Sequence, residues 1–382
     1  MASRSFSVSP VLLLKQMSAL GGRHWWLSFL LWIVMVGPAQ AATDLRVAIK
    51  DGVSRVQVGS STNAIVRNSA GQQVGELEAL NAFTAQGGGS SVAVGNWRSN
   101  QLWIEPRDNG YVWIGDRWYR GRTKIIPKGQ GITAVNYVDL EQYLYSVLGA
   151  EMSPTWPQEA LKAQAVAARS FALNKRATSA NALYDVVNTV NSQVYKGLDT
   201  EAQGTHMAVN ATAGQVMTYG GQVILAAFHS SSGGHTENVE DVWVQPLPYL
   251  RGVADYDIGS PVYEWTKSFS VGELTGKIGG VGTVRSMTPE RTTPHGRVVT
   301  MKVTGDRGSK RLTGNELRSA LGLRSTLFTV APTGSSFLIS GRGYGHGLGL
   351  SQWGAHNLAA QGTDYQQILT HYYQGATISQ TN

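Results

Sequence analysis

The run from Glu159 to Leu173, Glu-Ala-Leu-Lys-Ala-Gln-Ala-Val-Ala-Ala-Arg-Ser-Phe-Ala-Leu, constrains this chain more than any other stretch. Alanine is the strongest helix former, and here it stands on nearly every side of the predicted helix. Little side-chain bulk separates such a helix from its neighbours, so it belongs at the centre of a fold. Pro157 suits its first turn. An earlier helix is expected from Asp139, with Gln142 completing a capping box, Leu140, Leu144, Val147 and Leu148 on one face, and Gly149 as its end. Glu151 is then a carboxylate in the turn between two helices.

Around this helical centre the pattern is strand-like. Leu45 to Ile49, Arg55 to Val58, Ala64 to Arg67, Gln101 to Ile104 and Tyr111 to Ile114 are short alternating runs broken by Gly, Asn and Asp, and Gly87 to Ser91 reads as a flexible loop among them. Strand-like runs return at Gln215 to Thr218, Val223 to Phe228, Arg297 to Val303 and Ser336 to Ile339. A glycine-rich loop, Gly341 to Gly349, leads to Ser351 and a helix ending near Gly362, and Thr363 with Gln366 is placed to cap a last helix carrying Ile368, Leu369 and Tyr372. No repeat of fixed period is evident. The fold class expected is α+β, with a strand-rich part over 42–130 packed on a mixed body over 131–382 that holds the Ala-rich helix and the C-terminal helices. No Pro- or Ser-rich linker separates the two.

Hydrophobic residues make up 42% of the 382 and charged residues 15%, enough apolar material for a packed core. There are no cysteines, which excludes disulfides, thiolate metal sites and thiol nucleophiles. Residues 1–41 read as a signal peptide. A basic stretch ends at Arg23, Trp25 to Val36 form an apolar run, and Ala39-Gln40-Ala41 offers small residues for cleavage before Ala42. The protein is therefore expected outside the cytoplasm, in the periplasm or cell envelope, an uncleaved N-terminal anchor being the other reading. Arg4, Lys15 and Arg23 lie in this leader, so the formal charge of +7 falls to about +4 without it. That bias suits an anionic surface and is too diffuse for nucleic acid.

Three constellations could carry chemistry. The first is Gly149-Ala-Glu151-Met152-Ser-Pro154-Thr-Trp156-Pro157. Apolar walls from Met152 and Trp156 would raise the pKa of the carboxyl, as a general acid at neutral pH requires; an exposed turn glutamate is the plainer reading. Arg169 falls on the flank of the stripe made by Leu161, Ala165 and Ala172, so it points inward and calls for an anionic partner, either a structural carboxylate or a substrate. The second is Phe228-His229-Ser-Ser-Ser-Gly233-Gly234-His235-Thr-Glu237. It has neither the Gly-x-Ser-x-Gly elbow of a serine hydrolase nor metal-ligand spacing, which leaves a polar turn or a substrate-binding loop. The third, Gly341 to Gly354, alternates glycine without a Gly-Lys-Ser/Thr ending, so no nucleotide is expected. Its glycines let backbone pass close to another segment, with His346 and Gln352 lining a cleft.

Together these stretches resemble the SpoIID/LytB family. The matching motifs are Tyr143-Leu-x-x-Val147-x-x-x-Glu151-Met, Trp156-Pro-x-Glu159-Ala-Leu-Lys-Ala-Gln-Ala-Val-Ala-Ala-Arg169-Ser170, Gln193-Val-Tyr195-x-Gly197, His229-Ser230-x-Ser232-Gly233-Gly234, Pro248-Tyr249-Leu250 and Gly343-Tyr-Gly-His346-Gly-x-Gly-x-Ser-Gln352-x-Gly-Ala. The resemblance covers about residues 44 to 382, most weakly before Tyr119. It implies a peptidoglycan lytic transglycosylase with Glu151 as its single acid/base and no cofactor. Arg169, Ser170, Gln193, Tyr195, His229, Ser230, Ser232, Gly233, Gly234, Tyr249, His346 and Gln352 would line the glycan cleft. Some members hold zinc through His and Cys near the segment that is Asp185 to Tyr195 here. This stretch has neither residue type, so no metal is expected. Other members enhance a separate N-acetylmuramoyl-L-alanine amidase, and that non-catalytic, wall-binding role is the alternative, with the amidase as partner.

Overall fold

The computed structural model describes residues 43–381 except 180–182, 190–191 and 244. The signal-peptide segment lies outside the described residues. Among the described residues no helix is long and apolar enough to cross a membrane.

The fold is α+β. The first described element is β1 (Asp44–Val53), and a hairpin of β2 (Arg122–Lys128) and β3 (Gly131–Asp139) follows the strand-rich segment. These three strands centre a seven-stranded sheet, in which β3 lies antiparallel between β1 and β2. A second, six-stranded sheet built from Arg55–Ser60, Ala82–Gly88 and four short neighbours shares one hydrophobic core with the first. Gly131 to Asn136 are buried without interruption because β3 is covered on both faces, by the second sheet and by helices. The boundary expected at 130/131 falls in the turn of the β2–β3 hairpin, where Lys128 pairs with Gly131. Gly87 to Ser91 is likewise a tight hairpin rather than a flexible loop: Gly88 pairs with Ser91, and Gly89 supplies the positive φ of 66° that the turn demands.

From β3 the chain enters α1 (Leu140–Glu151), with the Asp139 carboxylate accepting from the Gln142 amide at 3.1 Å. Gly149 does not end this helix. It lies within it because Thr200 crosses so closely that a Cβ at 149 would meet its carbonyl oxygen. Glu151 is consequently the last residue of α1, not a turn residue, and Met152 is the C-cap. Next comes α2 (Gln158–Thr178), which runs on past Leu173, where the sequence pattern ended, to Thr178, with Pro157 just before its first turn. Ala160 to Ala172 are buried except at Lys162 and Phe171, and the helix packs on α1, on α3 (Gln203–Ala211) and on β4 (Gln215–Tyr219). Arg169 secures this centre. Its Nε and Nη2 donate to the two carboxylate oxygens of Glu141 at 2.7 and 2.6 Å, and Nη1 donates to the Gln215 carbonyl at 3.0 Å.

The run expected as one strand from Val223 to Phe228 is irregular between its ends: Val223 pairs with Thr218 of β4, and Phe228 opens β5 (Phe228–His229). A larger departure follows. Residues 264–342 form an insert with its own core, which includes Trp265, Leu274, Met301, Leu317 and Ile339. It opens with β6 (Glu264–Ser270) and closes with β7 (Ser336–Arg342), which pair antiparallel from Glu264–Arg342 to Ser270–Ser336. Two alike units lie inside it. Ser270 with Glu273 and Thr313 with Glu316 each form a capping box, opening α4 (Val271–Ile278) and α5 (Gly314–Leu321), and Gly279 and Gly322 end them at positive φ. This local likeness was open to reading in Ser-x-x-Glu-Leu and Thr-x-x-Glu-Leu, though it is no fixed-period array. The chain returns through β8 (Leu350–Ser351), α6 (Gln352–Ala360) and α7 (Tyr365–Tyr372). Asp364, not Thr363, caps α7, accepting from the Gln367 amide at 2.8 Å.

Two outcomes follow from this packing. A fragment of residues 131–382 lacks the partner strands of β3 and half of its core, so it should fail to fold; a cooperative thermal melt of that fragment followed by circular dichroism would contradict this. Arg169→Ala leaves Glu141 partly buried without its cation and should cost about 3 kcal/mol of stability, measured by urea unfolding.

Candidate active site

Glu151 sits at the C-terminal end of α1 with part of its side chain exposed. Two donors hold its carboxylate. The Gln352 side-chain amide reaches Oε2 at 3.2 Å, and the Val194 backbone N–H reaches Oε1 at 3.4 Å. Burial raises the carboxyl pKa. The two hydrogen bonds and the charge of Lys196 pull the other way without cancelling that effect. Among the described residues, no other carboxylate is among the groups that shift this pKa.

The donor from residue 352 is brought in by a very short parallel pairing of β5 with β8, Phe228 opposite Leu350 and His229 opposite Ser351. Ser351 then caps α6, its hydroxyl accepting from the Gly354 amide at 3.3 Å, and Gln352 opens the helix, buried, facing Glu151. The same pairing brings up the Ser230 loop, whose carbonyl accepts from the Trp353 amide at 3.0 Å. His229 lies beneath, its Nδ1 3.1 Å from the Leu348 carbonyl oxygen, and burial drives its pKa down to about 3, so the ring is neutral. His346 is 5.2 Å from it, ring centre to ring centre, and is also held neutral by burial and by the neighbouring His229 and Arg297. The glycines behave as expected for close backbone passage. A Cβ at Gly345 would strike His229, and one at Gly343 would strike the Ser231 and Ser232 backbone.

Several residues singled out for the cleft sit in the scaffold instead. Arg169 is fully buried against Glu141, the structural pair of the two readings. The Ser170 hydroxyl donates to the Val166 carbonyl at 2.7 Å and accepts from the Met217 amide at 2.8 Å. Gln193 accepts from the Tyr143 hydroxyl and donates to the Ala168 carbonyl, both at 3.2 Å. Tyr195 is wedged between Tyr119 and Tyr143 and donates to Asn136 at 2.9 Å. None of the four presents a polar side-chain group to solvent, because each is committed to partners within the protein: Arg169 and Ser170 tie α2 to α1 and to β4, while Gln193 and Tyr195 fix the backbone on either side of Val194. Tyr249 is nearly buried, accepting from the Leu225 amide at 3.1 Å.

Ser232, Gly233 and Gly234 are ordered by two carboxylates that the sequence reading missed. Ser232 donates to Asp255, and the Gly233 and Gly234 amides donate to Asp257 at 2.8 and 3.0 Å. Asp255-Tyr-Asp257, just past the Pro-Tyr-Leu motif, was the signal available. The insert supports the same loops from outside. Arg297 Nη2 donates to the Ser232 carbonyl at 2.6 Å, the Trp265 indole to the Gly343 carbonyl at 3.0 Å, and the Gly345 amide to the Arg324 carbonyl at 3.0 Å. Asp185 and Glu237, the other carboxylates of interest, are engaged elsewhere, Asp185 with Arg46 at 2.6 Å and Glu237 with Thr293 at 2.6 Å. Among the described residues no cluster of three or more His, Asp or Glu side chains could hold a metal ion, and the described part of 185–195 offers only Asp185 as a ligand. Cavities of about 660 and 620 Å³ exist beside Trp265 and Arg342 and beside Tyr111 and Arg120; neither is lined by Glu151.

Residues 128–219 match the model of the stage II sporulation protein family, SpoIID, and residues 256–349, which contain the insert, match a domain of unknown function, DUF8618. The chain is 36% identical over 269 residues to stage II sporulation protein D of Bacillus subtilis, covering 65% of this chain and 77% of that protein. It is 36% identical over 282 residues to an uncharacterized protein of Brachyspira hyodysenteriae, covering 72% and 75%. A Bacillus subtilis protein named amidase enhancer is 33% identical over 291 residues, 62% of this chain and 40% of the other. Likeness at this level across three quarters of such relatives, on the segments that hold Glu151, establishes that the chain belongs to the SpoIID/LytB family.

Proposed function

We propose that this protein is exported and cuts peptidoglycan glycan strands as a lytic transglycosylase, with Glu151 as the only acid/base. The observation that carries this reading is the Glu151 carboxyl itself: partly exposed, raised in pKa by burial, oriented by two donors and, among the described residues, without a second carboxylate that shifts its pKa. Glycoside hydrolases in general use two carboxylates, the second to activate water or attack the sugar. One suffices when the nucleophile belongs to the substrate. Glu151 protonates the glycosidic oxygen as the bond to the anomeric carbon breaks, and the C6 hydroxyl of the same muramic acid attacks that carbon. The hydroxyl proton returns to Glu151, leaving a 1,6-anhydro end and a regenerated acid. Gln352 donates to the ionised form between these two transfers. The raised pKa keeps the acid protonated at higher pH than an ordinary glutamate.

Glu151→Gln should abolish release of 1,6-anhydro products, a loss near the upper end of about 10² to 10⁴ in rate because both proton transfers use the one group. Chromatography of muropeptides released from intact and from peptide-stripped glycan measures it. The pH-rate profile of the wild type should fall on its alkaline side at a pH above the ordinary glutamate range, since the acid must be protonated to start the reaction.

The same burial has a consequence for stability. A folded-state pKa raised above the unfolded one gives stability that is complete below the unfolded value and is lost as pH rises through the folded value. Glu151→Gln should therefore melt above the wild type at neutral pH, the gain vanishing in acid below the ordinary glutamate range. Equal melting temperatures at neutral pH would show that the ionised carboxylate is held at no cost.

The relative named amidase enhancer favours a second reading, in which the protein binds the wall and promotes a separate N-acetylmuramoyl-L-alanine amidase without cutting. It predicts that wild type and Glu151→Gln stimulate such an amidase on purified wall equally and that neither yields anhydro ends.

A further inference from the structure

The turn that follows Glu151 and the helix that opens with its donor Gln352 share an aromatic group that the hydrogen bonds to Glu151 do not use. Trp156, on the turn that follows α1, meets Trp353 of α6 with ring centres 4.6 Å apart and planes at 59°. His356, one turn along α6, completes the group at 4.7 Å from Trp156 and 5.2 Å from Trp353. Each ring is carried by a segment that also holds the acid. Trp156 is five residues past Glu151, and Trp353 directly follows Gln352, the donor to Glu151. Both positions are fixed through the backbone, the Trp156 amide donating to the Ser153 carbonyl at 3.1 Å and the Trp353 amide to the Ser230 carbonyl at 3.0 Å.

Two observations separate this group from an ordinary structural aromatic cluster. All three rings stay partly exposed, whereas Met152, Gln352 and Gly354 beside them are buried. Trp265 spends its indole N–H on the Gly343 carbonyl, while among the described residues neither Trp156 nor Trp353 spends its own on any acceptor. Large aromatic faces left wet are unfavourable, and an indole that keeps its N–H free next to an apolar face suits a partner with an apolar surface and a polar edge. A pyranose is such a partner, with C–H bonds on its face and hydroxyls at its rim. The Ser153 and Thr155 hydroxyls, exposed and 2.9 Å apart on the same turn, add polar groups at the border.

We propose that Trp156 and Trp353 form a sugar-stacking subsite beside Glu151, which takes a pyranose ring of the glycan next to the bond to be cut. The proposal rests on the reading of Glu151 as an acid acting on glycan. It also assigns Gln352 and Trp353 complementary tasks, one orienting the acid and the next holding the strand.

Isothermal titration of peptide-free glycan strands, purified from cell walls, into the Glu151→Gln protein tests it. In that background Trp353→Ala should weaken binding about tenfold, the worth of one lost stacking contact, and Trp353→Phe, which keeps a ring face, should recover most of the affinity. Should Trp353→Ala fail to fold, the indole N–H resonances of Trp156 and Trp353 in the Glu151→Gln protein, assigned from the Phe variants, give the second readout and should shift on adding strands. A folded Trp353→Ala protein that binds as tightly as its parent, or indole resonances unmoved at saturation, would overturn the subsite. Strand binding that depends on Trp353 in a protein whose wild type yields no anhydro ends would leave the subsite standing and remove the cleavage reading. Cleavage by wild type with no Trp353 effect on binding would do the reverse.

Discussion

The pairing of Phe228–His229 with Leu350–Ser351 is the joint on which the candidate site depends. Only two residues long on each side, it places the start of α6 over the end of α1, so that the Gln352 amide meets a carboxylate 201 positions away in sequence. Everything else in the region serves that meeting. The Asp255 and Asp257 carboxylates order the loop beyond β5, and glycines at 343, 345, 347 and 349 let the second loop lie against the first, where side chains would collide with His229, Arg297 and Ala227. The competition at Glu151 is then decided by position: donors and Lys196 favour the anion, burial disfavours it, and burial prevails.

Much of this was legible in the residues, and where it was not the reason is physical. Alanine on all sides of α2 announced a central helix, and the Asp139 cap and apolar stripe announced α1. The end of α1 could not be read because Gly149 has two uses, stopping a helix or admitting a crossing chain, and only the position of Thr200 tells them apart. Motif membership marked Glu151 and Gln352, which meet, and equally Arg169, Ser170, Gln193 and Tyr195, which build the wall behind them. A fixed residue in a motif is what packing and chemistry both produce. The Glu141 carboxylate that claims Arg169 carries no such signature, being one ordinary acidic residue in a first helical turn.

The insert escaped notice for a related reason. Its short strands alternate with turns as those of the body do, and no linker marks its ends, since β6 and β7 leave and return side by side. Its hydrogen bonds to Ser232, Gly343 and Gly345 make it the outer support of both loops. A carboxylate motif can be recognised from the chain alone; a supporting arginine such as Arg297, reaching across from another unit, cannot.

The adjacency of the insert's two ends also bears on the order in which the molecule assembles. Joining His229 to Ser351 in an unstructured chain means closing a loop of about 120 residues, but once the insert has formed its own core, with its ends clasped between Glu264 and Arg342, only about 40 flexible residues remain to be closed. A threefold shorter loop lowers the closure cost by about 1 kcal/mol. An insert that folds ahead of the body would thus be a shortcut in folding as well as a buttress in the native state, and a lesion in its core would then delay completion of a site that it does not itself contain.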